Sequence, residues 1–310
     1  MRLRCASCRT RLIALMSGPD MSFRPRRSVL YVPASNAKAL DKVRSLPCDS
    51  IIVDLEDAVA PEAKLAARRA AVEFVVGGGG GERELIVRVN GLDTSWGEAD
   101  LDAIAQAGPD AILVPKVNDG AQVRRYDAAL QQAPDNTQLW AMIETAHSIF
   151  RLDDIASQAG STRLSCWVMG TNDLAKEMRA ELDAVRAPFL AALSLSVTAA
   201  RAYGLDILDG VFNEIDNAAG FESQCRQGLA FGFDGKTLVH PSQIATCNRC
   251  FTPTDAQLHW SKAVVEAFGS PENQGKGALR VDGRMVERLH LDHARGVIAV
   301  RQVIDARAPG

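Results

Sequence analysis

Two carboxylates, Glu144 and Asp173, and one arginine, Arg88, stand at or just beyond the ends of short apolar runs in this chain. Carboxylates delivered together can bind one divalent cation. All-oxygen ligation with few protein ligands suits Mg2+, which keeps waters and accepts substrate oxygens. A guanidinium beside such a cation can hold a carbonyl or carboxylate oxygen and offset negative charge developing on it. Gly170, Thr171 and Asn172 precede Asp173 in a tight turn whose N–H groups suit a substrate carboxylate. Asp54, Glu56 and Asp57 are too many acids for one cation. Some are expected behind it, bonding its waters or orienting Arg88 and Lys116. Plainer uses stay open. Asp173, ahead of the run LAKEM, can cap a helix, and Arg88 can form a structural ion pair with Asp54 or Glu56. His240, ahead of Pro241, reads as a structural hydrogen-bonding group, and His147 is given no role.

The elements that must position these residues are eight apolar runs. They are SVLYVP from Ser28, SIIVDLED from Ser50, ELIVRVN from Glu84, AILVPKV from Ala111, LWAMIET from Leu139, LSCWVMGTND from Leu164, DILDGVFNEI from Asp206 and KTLVHP from Lys236. All are rich in Val, Ile and Leu without clean alternation, as expected of strands buried on both faces. Between them lies room for one helix each, which predicts an α/β fold, a (β/α)8 barrel. The C-terminal strand ends would then deliver Asp54, Glu56, Arg88, Lys116, Glu144, Asp173, Asp209 and His240 to one rim. Helices are predicted through Lys38 to Arg44, capped by Ser35 or Asn36, and from Pro61 to Phe74, with Glu62, Lys64, Arg68 and Arg69 on the solvated face. A capping arrangement at Thr94–Glu98 predicts another through Leu101 and Ile104. Gly77 to Gly81 reads as a loop away from the active site. After the eighth strand a helix is expected from Thr254 to Phe268, a loop from Gly269 to Gly283, and a helix from Met285 to about Ile304. The expected division is an N-terminal extension over 1–26, a catalytic barrel over 27–268, and a C-terminal lid or oligomerisation segment over 269–310.

Bulk properties narrow the class. The 310 residues carry 47% hydrophobic and 24% charged side chains, ordinary for a soluble globular protein. A net charge of −3 argues against nucleic acid or an acidic membrane as the main partner. No run reaches the ~18 apolar residues of a membrane span. The basic start mimics a targeting peptide, but its apolar patch is short, and Met16 and Met21 precede the first strand. A mis-set start codon or a disordered extension is the preferred reading, with a cytoplasmic location. Seven cysteines, an odd number, point to a reducing compartment. The pairs Cys5/Cys8 and Cys247/Cys250 are too far apart for a shared zinc site.

The motifs RSVLYVPASN, DLEDAV, IVRVNG, the Glu of AMIET, MGTNDLAKEM, DILDGVFNEIDNAAG and GFDGKTLVHPSQI occur in the order seen in the citrate lyase β-subunit-like family. The chain resembles that family, which belongs with the HpcH/HpaI aldolases and malyl-CoA lyases, from about Arg27 to Phe268. The resemblance implies a Mg2+-dependent (β/α)8 barrel that makes or breaks C–C bonds in acyl-CoA thioesters, usually as a trimer or hexamer. It implies Glu144 and Asp173 as metal ligands and Arg88 as the substrate-binding arginine, beside the turn residue Asn172 already read as facing a substrate carboxylate. Basic residues around the first strand, with the C-terminal segment, would help hold coenzyme A. In relatives an Asp of that segment reaches into a neighbouring subunit as acid/base. Glu287 stands at that position here, one methylene longer, and Asp282 or Asp292 are the substitutes.

By that resemblance a 3-hydroxyacyl thioester would be cleaved to an acetyl-CoA enolate and a 2-oxo acid. Three other functions compete: an aldolase on free 2-keto acids without coenzyme A, a citrate lyase β subunit needing partner chains, and a catalytically silent barrel used as a scaffold. Intact Glu144, Asp173 and Arg88 argue against silence.

Overall fold

The computed structural model describes residues 24–307. The readings made for the start of the chain, including its methionines and Cys5/Cys8, lie outside them. Eight parallel strands close into a barrel in sequence order. The first half runs β1 (Ser28–Pro33), α1 (Ala37–Val43), β2 (Ser50–Asp54), α2 (Lys64–Val76), β3 (Glu84–Arg88), α3 (Gly97–Ala107), β4 (Ala111–Val114) and α4 (Gly120–Ala129). The second half runs β5 (Gln138–Ile143), α5 (Ala146–Ile149), α6 (Leu152–Ala156), β6 (Leu164–Met169), α7 (Thr171–Met178), α8 (Leu190–Ala202), β7 (Asp206–Asp209), α9 (Ala218–Phe231), β8 (Gly235–Leu238) and α10 (Ile244–Phe251).

Each predicted strand is present because both of its faces are buried. Val29, Ile52, Ile86, Leu113, Trp140, Cys166 and Leu208 fill the barrel interior. Their neighbours Leu30, Ile51, Val53, Val87, Ile112, Leu139 and Ile207 face the helices. That two-sided demand explains why the runs show no polar alternation. Asn36 caps α1, accepting from the Ala39 N–H at 3.1 Å. Thr94 accepts from the Gly97 N–H at 3.2 Å at the start of α3.

The floor of the barrel is sealed. Arg26 donates to Glu84 at 2.7 and 2.6 Å, pairs with Asp206, and lies 4.9 Å from the Trp140 ring centre. Arg27 forks onto Asp49 at 2.8 Å. These ion pairs fix Arg26 and Arg27 at the N-terminal ends of the strands, opposite the rim.

Two further expectations are corrected. Lys64 does not belong to a solvated helix face: its ammonium is buried and donates to the Leu55 and Glu56 carbonyls at 2.8 and 2.7 Å and to Asn90 Oδ1 at 2.8 Å. Asp209 is absent from the rim cavity and fully buried, accepting from Arg186 Nη1 at 2.5 Å and Lys236 Nζ at 3.0 Å. A Cβ added at Gly228 of α9 would lie 2.9 Å from its Oδ2, so the carboxylate points toward the helical layer.

Arg26–Phe251 form one compact unit, and the chain from Thr252 onward belongs to a second. The second unit contains α11 (Asp255–Gly269), the hairpin strands β9 (Ala278–Val281) and β10 (Arg284–Glu287), and α12 (Arg288–Arg307). Val264, Val281, Val286, Leu291 and Ala294 make its own small core. Helix α11 therefore belongs with this unit, where the sequence reading placed it with the barrel through residue 268. The hairpin also replaces the expected loop over 269–283, and the last helix begins at Arg288, with Met285 on a strand.

Candidate active site

The ends of β2, β3, β5 and β6 place their polar residues around one cavity of about 310 Å3. Asp54, Arg88, Glu144, Gly170, Thr171, Asn172 and Asp173 all line it, with Tyr31 and Met142 on its inner wall. Arg88 is the hub. Its Nε and Nη2 donate to the two oxygens of Asp54, both at 2.7 Å. Its Nη1 lies 2.7 Å from Glu56 Oε2, a charge contact without hydrogen-bond geometry, since that oxygen has no hydrogen-bond partner. Asp57, largely exposed, is 3.7 Å away.

Charge and burial act together here. Burial opposes ionisation of Asp54, but the Arg88 guanidinium overrides it and holds the carboxyl below its usual range. Asp54 also accepts from the Glu56 and Ala58 N–H groups at 2.9 and 3.1 Å, so the arginine rests on a fixed carboxylate. Glu56 is pushed up by burial despite Arg88 and Lys116. Its Oε1 accepts from Lys116 Nζ at 2.6 Å.

Lys116 has φ of 50°, a left-handed backbone that is rare outside glycine. This twist aims its N–H at Glu144 Oε1, at 2.8 Å. The other oxygen, Oε2, is buried with no hydrogen-bond partner. Burial, with the Glu56 carboxylate nearby, pushes the Glu144 pKa up to about 8. Gly170 makes room for it: a Cβ there would lie 2.4 Å from that same Oε2. Asp173 sits in the first turn of α7, half-buried, and no side chain caps this helix. Asn172 and Asn213 exchange hydrogen bonds at 2.9 and 3.4 Å.

These donors fit a hard cation. A buried orphan carboxylate oxygen and a second carboxylate face one cavity, and an ion there would remove the penalty of ionising Glu144. Among the described residues no group of three His, Cys, Asp or Glu could hold a metal, so a cation here would take its remaining ligands from water or substrate.

Of the residues singled out in the sequence, Asp54, Glu56, Arg88, Lys116, Glu144, Asn172 and Asp173 come together. Lys116 lines a neighbouring concavity of about 250 Å3 with Arg125 and His147. His240 is a structural hydrogen-bonding group, its Nδ1 lying 2.8 Å from Ser242 Oγ. Glu287 is exposed at the end of β10 in the second unit, its N–H bonded to His290 Nδ1 at 2.9 Å. Four residues escaped sequence reasoning: Tyr31 and Met142, which pass for core, and Lys64 and Asn90, which pin the loop carrying Glu56.

Residues 27–241 match the model of the HpcH/HpaI aldolase/citrate lyase family. A (3S)-malyl-CoA thioesterase of Cereibacter sphaeroides is 45% identical over 282 residues, covering 91% of this chain and 96% of the relative. An L-malyl-CoA/beta-methylmalyl-CoA lyase of the same species is 31% identical over 314 residues, covering 93% and 98%. Among solved structures, the CitE protein of Mycobacterium tuberculosis in complex with magnesium, acetoacetate and coenzyme A has a TM-score of 0.72 and 27% identity, covering 89% of this chain and 97% of that one. With all eight barrel strands matched and relatives aligned along nearly their full length, this chain belongs to the HpcH/HpaI aldolase/citrate lyase family of enzymes.

Proposed function

We propose that this protein is a Mg2+-dependent enzyme acting on a 3-hydroxyacyl-CoA thioester of the malyl-CoA type and cleaving it to an acyl-CoA and a 2-oxo acid. The observation that carries this reading is the orphan oxygen of Glu144, which faces the same cavity as Asp173 and Arg88. Glu144 and Asp173 would hold the cation; when bound, it supplies Lewis-acid polarisation of the substrate's 2-oxygen and neutralises the adjacent carboxylate. The substrate hydroxyl loses its proton to a base, the C–C bond breaks, and its electron pair passes into the thioester as an enolate. Arg88 stabilises the enolate oxygen, and protonation of the enolate carbon yields the acyl-CoA. Asp54 and Glu56 orient the guanidinium, and Asn172 binds substrate beside Asp173. Glu287 is the proposed proton carrier, on the family resemblance, in a homotrimer or homohexamer.

Hydrolysis is the second reading, favoured by the thioesterase name of the relative at 45% identity. Water would then attack the thioester carbon and the C–S bond would break, leaving the 2-hydroxy acid and free coenzyme A. One assay separates the two. Malyl-CoA, with and without Mg2+, should give acetyl-CoA and glyoxylate with no free thiol. Malate and free thiol as the only products would overturn the lyase reading, and turnover of free 2-keto acids alone would favour the aldolase.

A further inference from the structure

Two strong donors in the cavity converge on a weak acceptor. The Tyr31 hydroxyl donates to Met142 Sδ at 3.5 Å, and Arg88 Nη1 approaches the same sulfur at 3.8 Å. A thioether accepts hydrogen bonds poorly. The Arg88 guanidinium carbon lies 4.9 Å from the Tyr31 ring centre, so the two side chains are held as one stacked unit. Asp54 fixes that unit from the far side through two bonds to Arg88. Tyr31, Arg88 and Met142 all border the cavity that Glu144 and Asp173 share. Burial also keeps the phenol well above its ordinary pKa, so it stays a donor at neutral pH.

We propose that Tyr31 and Arg88 form a two-donor oxyanion site for the thioester carbonyl oxygen, with the Met142 sulfur occupying it until substrate arrives. This rests on the reading that the substrate is an acyl-CoA thioester. The flexible, unbranched methionine can swing aside as the oxygen enters. The same oxygen gains the negative charge in both outcomes. In C–C cleavage it becomes the enolate oxygen, and in hydrolysis the oxyanion of the tetrahedral adduct. One donor pair therefore serves a lyase and a thioesterase alike, and Tyr31 is a catalytic residue in either.

Tyr31→Phe keeps the ring beneath the guanidinium and removes only the hydroxyl. Loss of one oxyanion donor lowers turnover about a hundredfold or more. With malyl-CoA and Mg2+, kcat should fall by that order while KM changes little, and Mg2+-dependent binding of glyoxylate, read by calorimetry, should persist. A Phe variant within twofold of wild type in kcat overturns the proposal, as does a loss confined to KM. Wild-type protein inactive on malyl-type thioesters would instead sink the underlying functional reading. Should the Phe variant fail to fold, Met142→Leu decides the matter. Removing the competing sulfur should lower KM for the thioester, and a fall in kcat there overturns the placeholder role.

Discussion

Arg88 shows how a single side chain can form a structural ion pair and still border a cavity suited to chemistry. Its bidentate pair with Asp54 is the ion pair that the sequence left open as a plain explanation, yet the same guanidinium borders the cavity. Arg88→Lys keeps the charge but loses the planar fork. It should lower kcat on a malyl-type thioester by about a hundredfold or more, while far-ultraviolet circular dichroism stays native. Activity within a few-fold of wild type would leave Arg88 with only a structural part. Tyr31 and Met142 were illegible at this scale because their neighbours in SVLYVP and LWAMIET are apolar. Nothing in such a run distinguishes a side chain facing packed interior from one facing a cavity at its mouth.

Strands and most helices were legible because local demands repeat along the chain: two buried faces for each strand, one for each helix. Buried polar pairs are not local. Lys64 meets Asn90 across 26 residues and Asp209 meets Lys236 across 27, separations that no periodicity encodes. The hairpin, by contrast, carried a readable signal. Asp282 and Gly283, at φ of 46° and 79°, form a two-residue turn of the Asp-Gly kind between the strands ALRV and RMVE. The Arg186–Asp209–Lys236 triad ties the β7 end to β8 and to the approach to α8. Burial opposes ionisation of Asp209, but its two cations hold the pKa below the usual aspartate range. Its stabilisation is therefore complete above that range and is lost as pH falls through the depressed native value. Asp209→Ala leaves two buried cations unpaired and should cost about 3–5 kcal/mol in denaturant unfolding at neutral pH. It should also flatten the acid limb of the stability profile. A change below 1 kcal/mol, on the scale of an exposed pair, would show that the triad contributes little.

The whole molecule comprises a barrel unit with seven of the eight site residues singled out in the sequence, and a smaller unit carrying Glu287. If active sites are completed between chains, two defective proteins should repair each other. Asp173→Ala and Glu287→Ala, each inactive alone, should regain turnover of malyl-CoA after mixing and subunit exchange. Mixtures no more active than their parts would confine each site to one chain or remove Glu287 from the reaction.

The sealed floor makes the barrel a blind well. Trp140, Ile52, Ile86 and Leu113 are fully buried in its shaft, and Arg26 locks the base. If the substrate is the proposed acyl-CoA thioester, its coenzyme A moiety far exceeds a cavity of about 310 Å3 and must remain at the mouth. On that reading the acid fragment, held at Glu144 and Asp173, sits beneath its larger partner, above a floor closed among the described residues by Arg26 and Trp140. Departure would then be a queue, with the acyl-CoA leaving first and the 2-oxo acid last. Steady-state inhibition reads that order directly. Glyoxylate should compete with malyl-CoA, whereas acetyl-CoA should give a mixed pattern, and the reverse assignment would mean that the acid escapes past the thioester.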